Sequence, residues 1–91
     1  MKEKEWIVYI LKCKDGSLYT GITDDLKHRL TMHRSGKGAK YTKGRAPLTV
    51  HYIERFQTKG DALRREAAIK KLPTANKRAL ISQSPLPETA L

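Results

Sequence analysis

The segment from Trp6 to Leu11 reads WIVYIL, and both of its alternating sets are apolar: Trp6, Val8 and Ile10 on one side, Ile7, Tyr9 and Leu11 on the other. A strand of that pattern is covered on both faces, so it belongs at the centre of a sheet. In a chain of 91 residues this segment commits much of the core. A domain so short buries about 60 to 65% of the surface its unfolded form exposes, which points to one compact unit and excludes a multi-domain machine. The chain is 38% apolar, enough to fold. Cys13 is the single cysteine, which excludes an intramolecular disulfide and a cysteine-based zinc site.

Turn and capping residues divide the rest. Lys14 to Ser17, KDGS, is turn chemistry and is followed by Leu18 to Thr23, LYTGIT, so the first two strands form a hairpin. Thr23 serves as N-cap with Asp24 and Asp25 in the first turn of a helix over 24–34, whose buried stripe is Leu26 and Leu30 with Arg29 and His33 flanking it. Leu48 to Phe56 alternates as a third strand, with Val50, Tyr52 and Glu54 on one face and Thr49, His51 and Ile53 on the other. Thr58 or Gly60 starts a second helix with an apolar arc of Ala62, Leu63, Ala67 and Ile69, which Pro73 ends, and Thr74 caps a short third helix to about Ile81. A domain over 1–81 and a disordered, polar and proline-bearing tail over 82–91 are expected. No apolar run reaches the roughly 18 residues of a membrane span, and MKEKEW leads into no signal-peptide core, so a cytoplasmic protein is expected.

Nineteen Lys and Arg against nine Asp and Glu give a net charge of +10. Such a domain attracts polyanions, nucleic acid foremost. The loop GKGAKYTKGRAPL combines Lys37, Lys40, Lys43 and Arg45 with Tyr41. Its backbone N–H groups and cations suit a phosphate backbone, and Tyr41 either stacks on a base or pins the loop. It lacks the spacing and the strand-to-helix setting of a phosphate-binding loop, so it is no ATP site.

Glu66 falls within the apolar arc of the second helix, between Ala62 and Ile69 on one side and Leu63 and Ala67 on the other. A carboxylate there requires a cation, a metal or a proton, or else a helix rolled to leave it at the surface. Arg29 and His33 lie one helical turn apart, which lets a guanidinium grip a phosphate beside an imidazole that passes a proton; Arg29 is equally a partner for Glu66. Tyr9 and Tyr19 sit on neighbouring strands, as core residues or as a hydroxyl pair. His28 is expected at the exposed side of its helix, His51 in a strand and Trp6 in the core.

VYIL at Val8 to Leu11, LYTGIT at Leu18 to Thr23, Arg29 ten residues after Tyr19, and Glu66 in the second helix resemble the GIY-YIG nuclease domain over residues 5 to about 81. GKGAKYTKGRAPL and ALRREAAIKKL further resemble its small stand-alone bacterial branch, the YhbQ-like group, and the related catalytic subunit of a eukaryotic structure-specific endonuclease. The resemblance implies an α/β (α+β) fold with a three-stranded antiparallel sheet flanked by helices. It implies metal-dependent hydrolysis of DNA phosphodiesters, at branched or damaged structures. On that pattern Glu66 would hold one Mg²⁺ or Mn²⁺, Tyr19 would be the general base with Tyr9 beside it, Arg29 would clamp the scissile phosphate, and His33 would assist proton transfer. Gly21 closes the second tripeptide, and Asn76 matches a family asparagine by loose spacing. The first tripeptide departs from the family's, reading ValTyrIle without the glycine, and substrate recognition is expected to come from the domain's own basic surface or from a partner, without a separate DNA-binding domain. Two other readings stand beside the nuclease: a non-catalytic nucleic-acid-binding module, and a nuclease subunit that works only with a protein partner.

Overall fold

The computed structural model describes residues 5–35 and 48–83. Three strands, β1 (Trp6–Lys12), β2 (Leu18–Thr23) and β3 (Thr49–Phe56), form an antiparallel sheet in the order β2-β1-β3. The doubly apolar segment is therefore the central strand, and Val8, Tyr9, Ile10 and Leu11 are fully buried. The hairpin closes through Lys14–Gly16: Gly16 N–H donates to Cys13 O, Cys13 N–H donates to Ser17 O, and Gly16 lies at φ 85°, a conformation open to glycine and costly for other residues.

Helix α1 (Leu26–Arg34) covers one face of the sheet, where Tyr9, Leu11, Leu26 and Leu30 form a cluster joined by Ile7, Tyr19, Val50 and Ile53. Its N-cap is Asp25, which accepts from His28 N–H, while Thr23 acts one step earlier by accepting from Asp25 N–H. The expected start at Asp24 thus shifts to Leu26, because Asp25 caps the helix instead of entering it. Helices α2 (Lys59–Lys70) and α3 (Thr74–Gln83) cover the other face, where Val8, Ile10, Tyr52, Ala62 and Ile69 cluster with Trp6, Leu18, Ile22, Phe56, Leu80 and Ile81. Each fully buried aliphatic side chain contributes about 1.5 to 3 kcal/mol. Thr58 caps α2 by accepting from Asp61 N–H, and α3 takes in Ser82 and Gln83, two residues assigned above to the tail.

Two packing details differ from the simple patterns. In β3 the register slips between Ile10 and Leu11 of β1: Ile10 pairs with Tyr52 but Leu11 with Val50. The extra residue is His51, and the bulge carries Val50 to the face of Ile53 and away from Tyr52. In α2 the buried line is Ala62 and Ile69 alone, while Leu63 is 44% exposed and Ala67 faces solvent. The helix is rolled so that half-buried Arg65 and Glu66 flank that line on opposite sides. Arg65 Nε donates to Glu54 Oε2 (3.1 Å), which also accepts from the Tyr52 hydroxyl (2.5 Å), fastening α2 to β3.

Candidate active site

Residues of one sheet face and one helix meet in a compact cluster. Gly21 pairs with Tyr9 across β2 and β1, and Tyr19 with Leu11, so both tyrosines project toward α1. Arg29 and His33, one turn apart on α1, project back toward them. The Tyr9 hydroxyl lies 2.9 Å from His33 Nε2 and accepts from Arg29 Nε at 3.4 Å. Arg29 also hydrogen-bonds the Tyr19 side chain. The three rings form a triangle, with centroids 6.3 Å apart for Tyr9 and Tyr19, 6.0 Å for Tyr9 and His33, and 5.3 Å for Tyr19 and His33.

Arg29 donates to the Tyr9 oxygen, and the 2.9 Å contact joins that hydroxyl to His33 Nε2, with the imidazole tautomer setting which of the two donates. Burial, and then the charge of Arg29, hold His33 below its ordinary value, which favours the neutral imidazole. Burial pushes the Tyr9 hydroxyl up to about 12, against the opposing hydrogen bond from Arg29. The charges of Tyr19 and Glu66 add to the rise. Arg29 is held more firmly protonated, first through its bond to Tyr9.

These shifts predict the pH range over which the cluster supports the fold. Below about pH 10 Tyr9 is protonated in both the folded and the unfolded chain, and above it the unfolded chain releases a proton that the folded chain keeps until about 12. Stability should therefore fall by about 2 to 3 kcal/mol across that interval. For His33 the sign is reversed: the unfolded chain takes up a proton near its ordinary value of about 6.5, which the folded chain resists, so stability declines as pH drops below it. Urea denaturation between pH 5 and 12 should show both flanks, and Tyr9→Phe should flatten the alkaline one. An alkaline flank unchanged in that variant would assign it to other groups.

Glu66 approaches from the other helix layer. Its side chain is 17% exposed and pairs with Lys70 Nζ at 3.4 Å, so its cation is a lysine one turn on, and Arg29 belongs to the tyrosines. Its charge adds the smallest of the contributions that raise Tyr9. Among the described residues no three His, Cys, Asp or Glu side chains converge. A lone carboxylate does not suit zinc, but it does suit Mg²⁺ or Mn²⁺, hard cations that keep most of their waters and accept further oxygens from a phosphate. The ammonium of Lys70 already occupies a cation position beside it.

Gly21 is explained by close approach. A Cβ there would lie 2.6 Å from the Tyr9 hydroxyl oxygen and 2.8 Å from its ring. Asn76 stands exposed on the first turn of α3, the helix that packs on β3, away from the α1 face. Lys37, Lys40, Tyr41, Lys43 and Arg45 lie outside the described residues. Sequence reading did not single out the Glu54–Arg65 pair that orients α2. Its signal was a carboxylate at an inward position of β3.

Fold and site together define a GIY-YIG catalytic domain: the chain belongs to that family, whose profile matches residues 5–79. It is similar to the UPF0213 protein of Oceanobacillus iheyensis, 52% identical over 87% of this chain and 92% of the relative. The UPF0213 protein of Halobacterium salinarum is 49% identical over 80% of this chain and 95% of its own. The solution NMR structure of the UPF0213 protein of Bacillus halodurans superposes with a TM-score of 0.61 at 46% identity, over 91% of this chain and 88% of that one. A second, from E. faecalis, gives 0.64 at 40%, over 90% and 88%. No helix among the described residues is long and apolar enough to cross a membrane.

Proposed function

We propose that the protein is a metal-dependent endonuclease that hydrolyses DNA phosphodiester bonds at branched or damaged structures. The observation that carries this reading is the hydrogen-bonded set of Tyr9, Tyr19, Arg29 and His33, with Glu66 half-buried on α2 in the opposite layer.

The two tyrosines divide the work. The Tyr9 hydroxyl is fully buried, keeps its proton and bridges Arg29 to His33, so it positions the other groups. Tyr19 is only half-buried, so its side chain is accessible in part. As general base its phenolate oxygen takes a proton from the attacking water, whose oxygen bonds to phosphorus while the bond to the leaving sugar oxygen breaks and that oxygen takes up a proton from solvent. Arg29 uses its remaining N–H groups to bind the non-bridging phosphate oxygens, where charge grows in the transition state. His33 holds Tyr9 and accepts a proton in transfer. Glu66 would hold the divalent cation, which supplies charge stabilisation at the phosphate and the leaving oxygen.

The test is cleavage of supercoiled, single-stranded and branched DNA with Mg²⁺, Mn²⁺ or EDTA. Wild type should cut only with metal, and folded Arg29→Ala should cut about a hundredfold more slowly or worse. Wild-type protein that binds DNA in a salt-sensitive way but never cuts would make the fold a binding module, and activity restored by a cell extract would make it a partner-dependent subunit.

A further inference from the structure

Away from the tyrosine cluster, a cavity of about 260 Å³ opens at the hairpin end of the sheet, lined by Lys12, Leu18, His51, Arg78, Ile81 and Ser82. Three elements each contribute a basic side chain: Lys12 ends β1, His51 is the bulge residue of β3, and Arg78 lies on α3. Among the described residues no carboxylate lines it. The charge of Lys12 reaches His51, where it and, more strongly, burial hold the imidazole below its ordinary value. Arg78 is already oriented, its Nη2 donating to Gly16 O of the hairpin turn at 3.3 Å. Lys12 and Arg78 bring two like charges to one opening beside a neutral imidazole, at a cost in free energy that a bridging anion recovers.

The remaining lining says which anion. Leu18 and Ile81 give an apolar wall that a bare phosphate does not use, while Ser82 adds a hydroxyl. The volume falls just below the roughly 300 to 1,000 Å³ of pockets for drug-sized ligands, which leaves room for one nucleotide and excludes a duplex. Leu18 also precedes Tyr19 on β2, an edge strand, with the two side chains on opposite sheet faces.

We propose that this cavity is a second nucleic-acid subsite, which takes one nucleotide of a single-stranded segment, its phosphate held by Lys12, His51 and Arg78 and its sugar or base lying on Leu18 and Ile81. The identity of the strand as substrate rests on the nuclease reading, but binding does not require cleavage. The subsite gives the domain a means of its own to favour DNA with an unpaired segment.

Titration of the full chain with 5′-phosphorylated dithymidylate, followed by amide NMR shifts, tests this separately from activity. Saturable shifts are expected at Lys12, Leu18, His51, Arg78 and Ser82, retained in Arg29→Ala and weakened about tenfold in Arg78→Gln and in Lys12→Gln. The second variant leaves the Arg78–Gly16 bond in place, so a disturbed hairpin cannot account for both losses. Shifts confined to Tyr9, Tyr19 and Arg29 would overturn the proposal. So would inorganic phosphate saturating the same resonances at equal concentration, which would make the cavity a plain anion hole.

Discussion

Glu66→Gln and Glu66→Ala proteins should fold as the wild type does and lose metal-dependent cleavage by about a hundredfold or more. The fold survives because the ion pair that Glu66 makes is to Lys70, whose side chain is 52% exposed, an i,i+4 contact of the kind worth about 0.3 to 0.5 kcal/mol. Catalysis does not, because the described residues offer the cation no alternative cluster of carboxylate, imidazole or thiolate donors. Glutamine keeps the shape and removes the charge. Comparing it with alanine therefore separates loss of metal binding from loss of packing along the Ala62–Ile69 line. Circular dichroism and a melting curve on each variant would establish the fold, and cleavage across a metal titration would establish the defect. Full activity in a folded Glu66→Ala protein would remove this residue from the site and sink the metal assignment with it.

Gly21→Ala, a change of one methyl group, should be nearly as damaging and for a different reason. The added carbon meets the Tyr9 hydroxyl at 2.6 Å and its ring at 2.8 Å, far inside contact distance, and the Tyr19 ring at 3.0 Å. Tyr9 cannot yield, since its ring is fully buried and its hydroxyl is bonded to both His33 and Arg29. Overpacking of this kind costs about 1 to 3 kcal/mol. Relief by moving Tyr9 breaks the hydrogen bonds that position Arg29 and His33, so cleavage should fall even at temperatures where the variant remains folded. Stability by urea denaturation, activity at low temperature and the amide shifts of Arg29 and His33 would report the three effects. A Gly21→Ala protein with wild-type stability and unmoved shifts would show that β2 can retreat from β1, contrary to the pairing of Tyr9 with Gly21 at the sheet's centre.

The site was legible in part because its residues stand at local spacings. Arg29 and His33 are one turn apart, and Tyr9 and Tyr19 lie on strands joined by a short turn, so short-range geometry brings each pair together. The alternatives left open by the sequence were long-range ones: whether Arg29 served the tyrosines or Glu66, and whether α2 buried its whole apolar arc. Both depended on how α2 rolls, which is set by the Glu54–Arg65 contact and by Ala62 and Ile69 against the sheet.

Local chemistry along the chain was enough to set the central strand, the hairpin at Gly16, the alternation of helices and strands, and the residue types from which the candidate site is built. Those follow from periodicity, from turn chemistry and from capping, all of which act over a few neighbouring residues. Long-range packing alone sets Val50 apart from the face of Tyr52, turns Leu63 to solvent, and brings Lys12, His51 and Arg78 to one cavity. Each of these turns on a bulge, a roll or a helix docking between distant segments, where the packing of the whole core fixes which side of an element is buried.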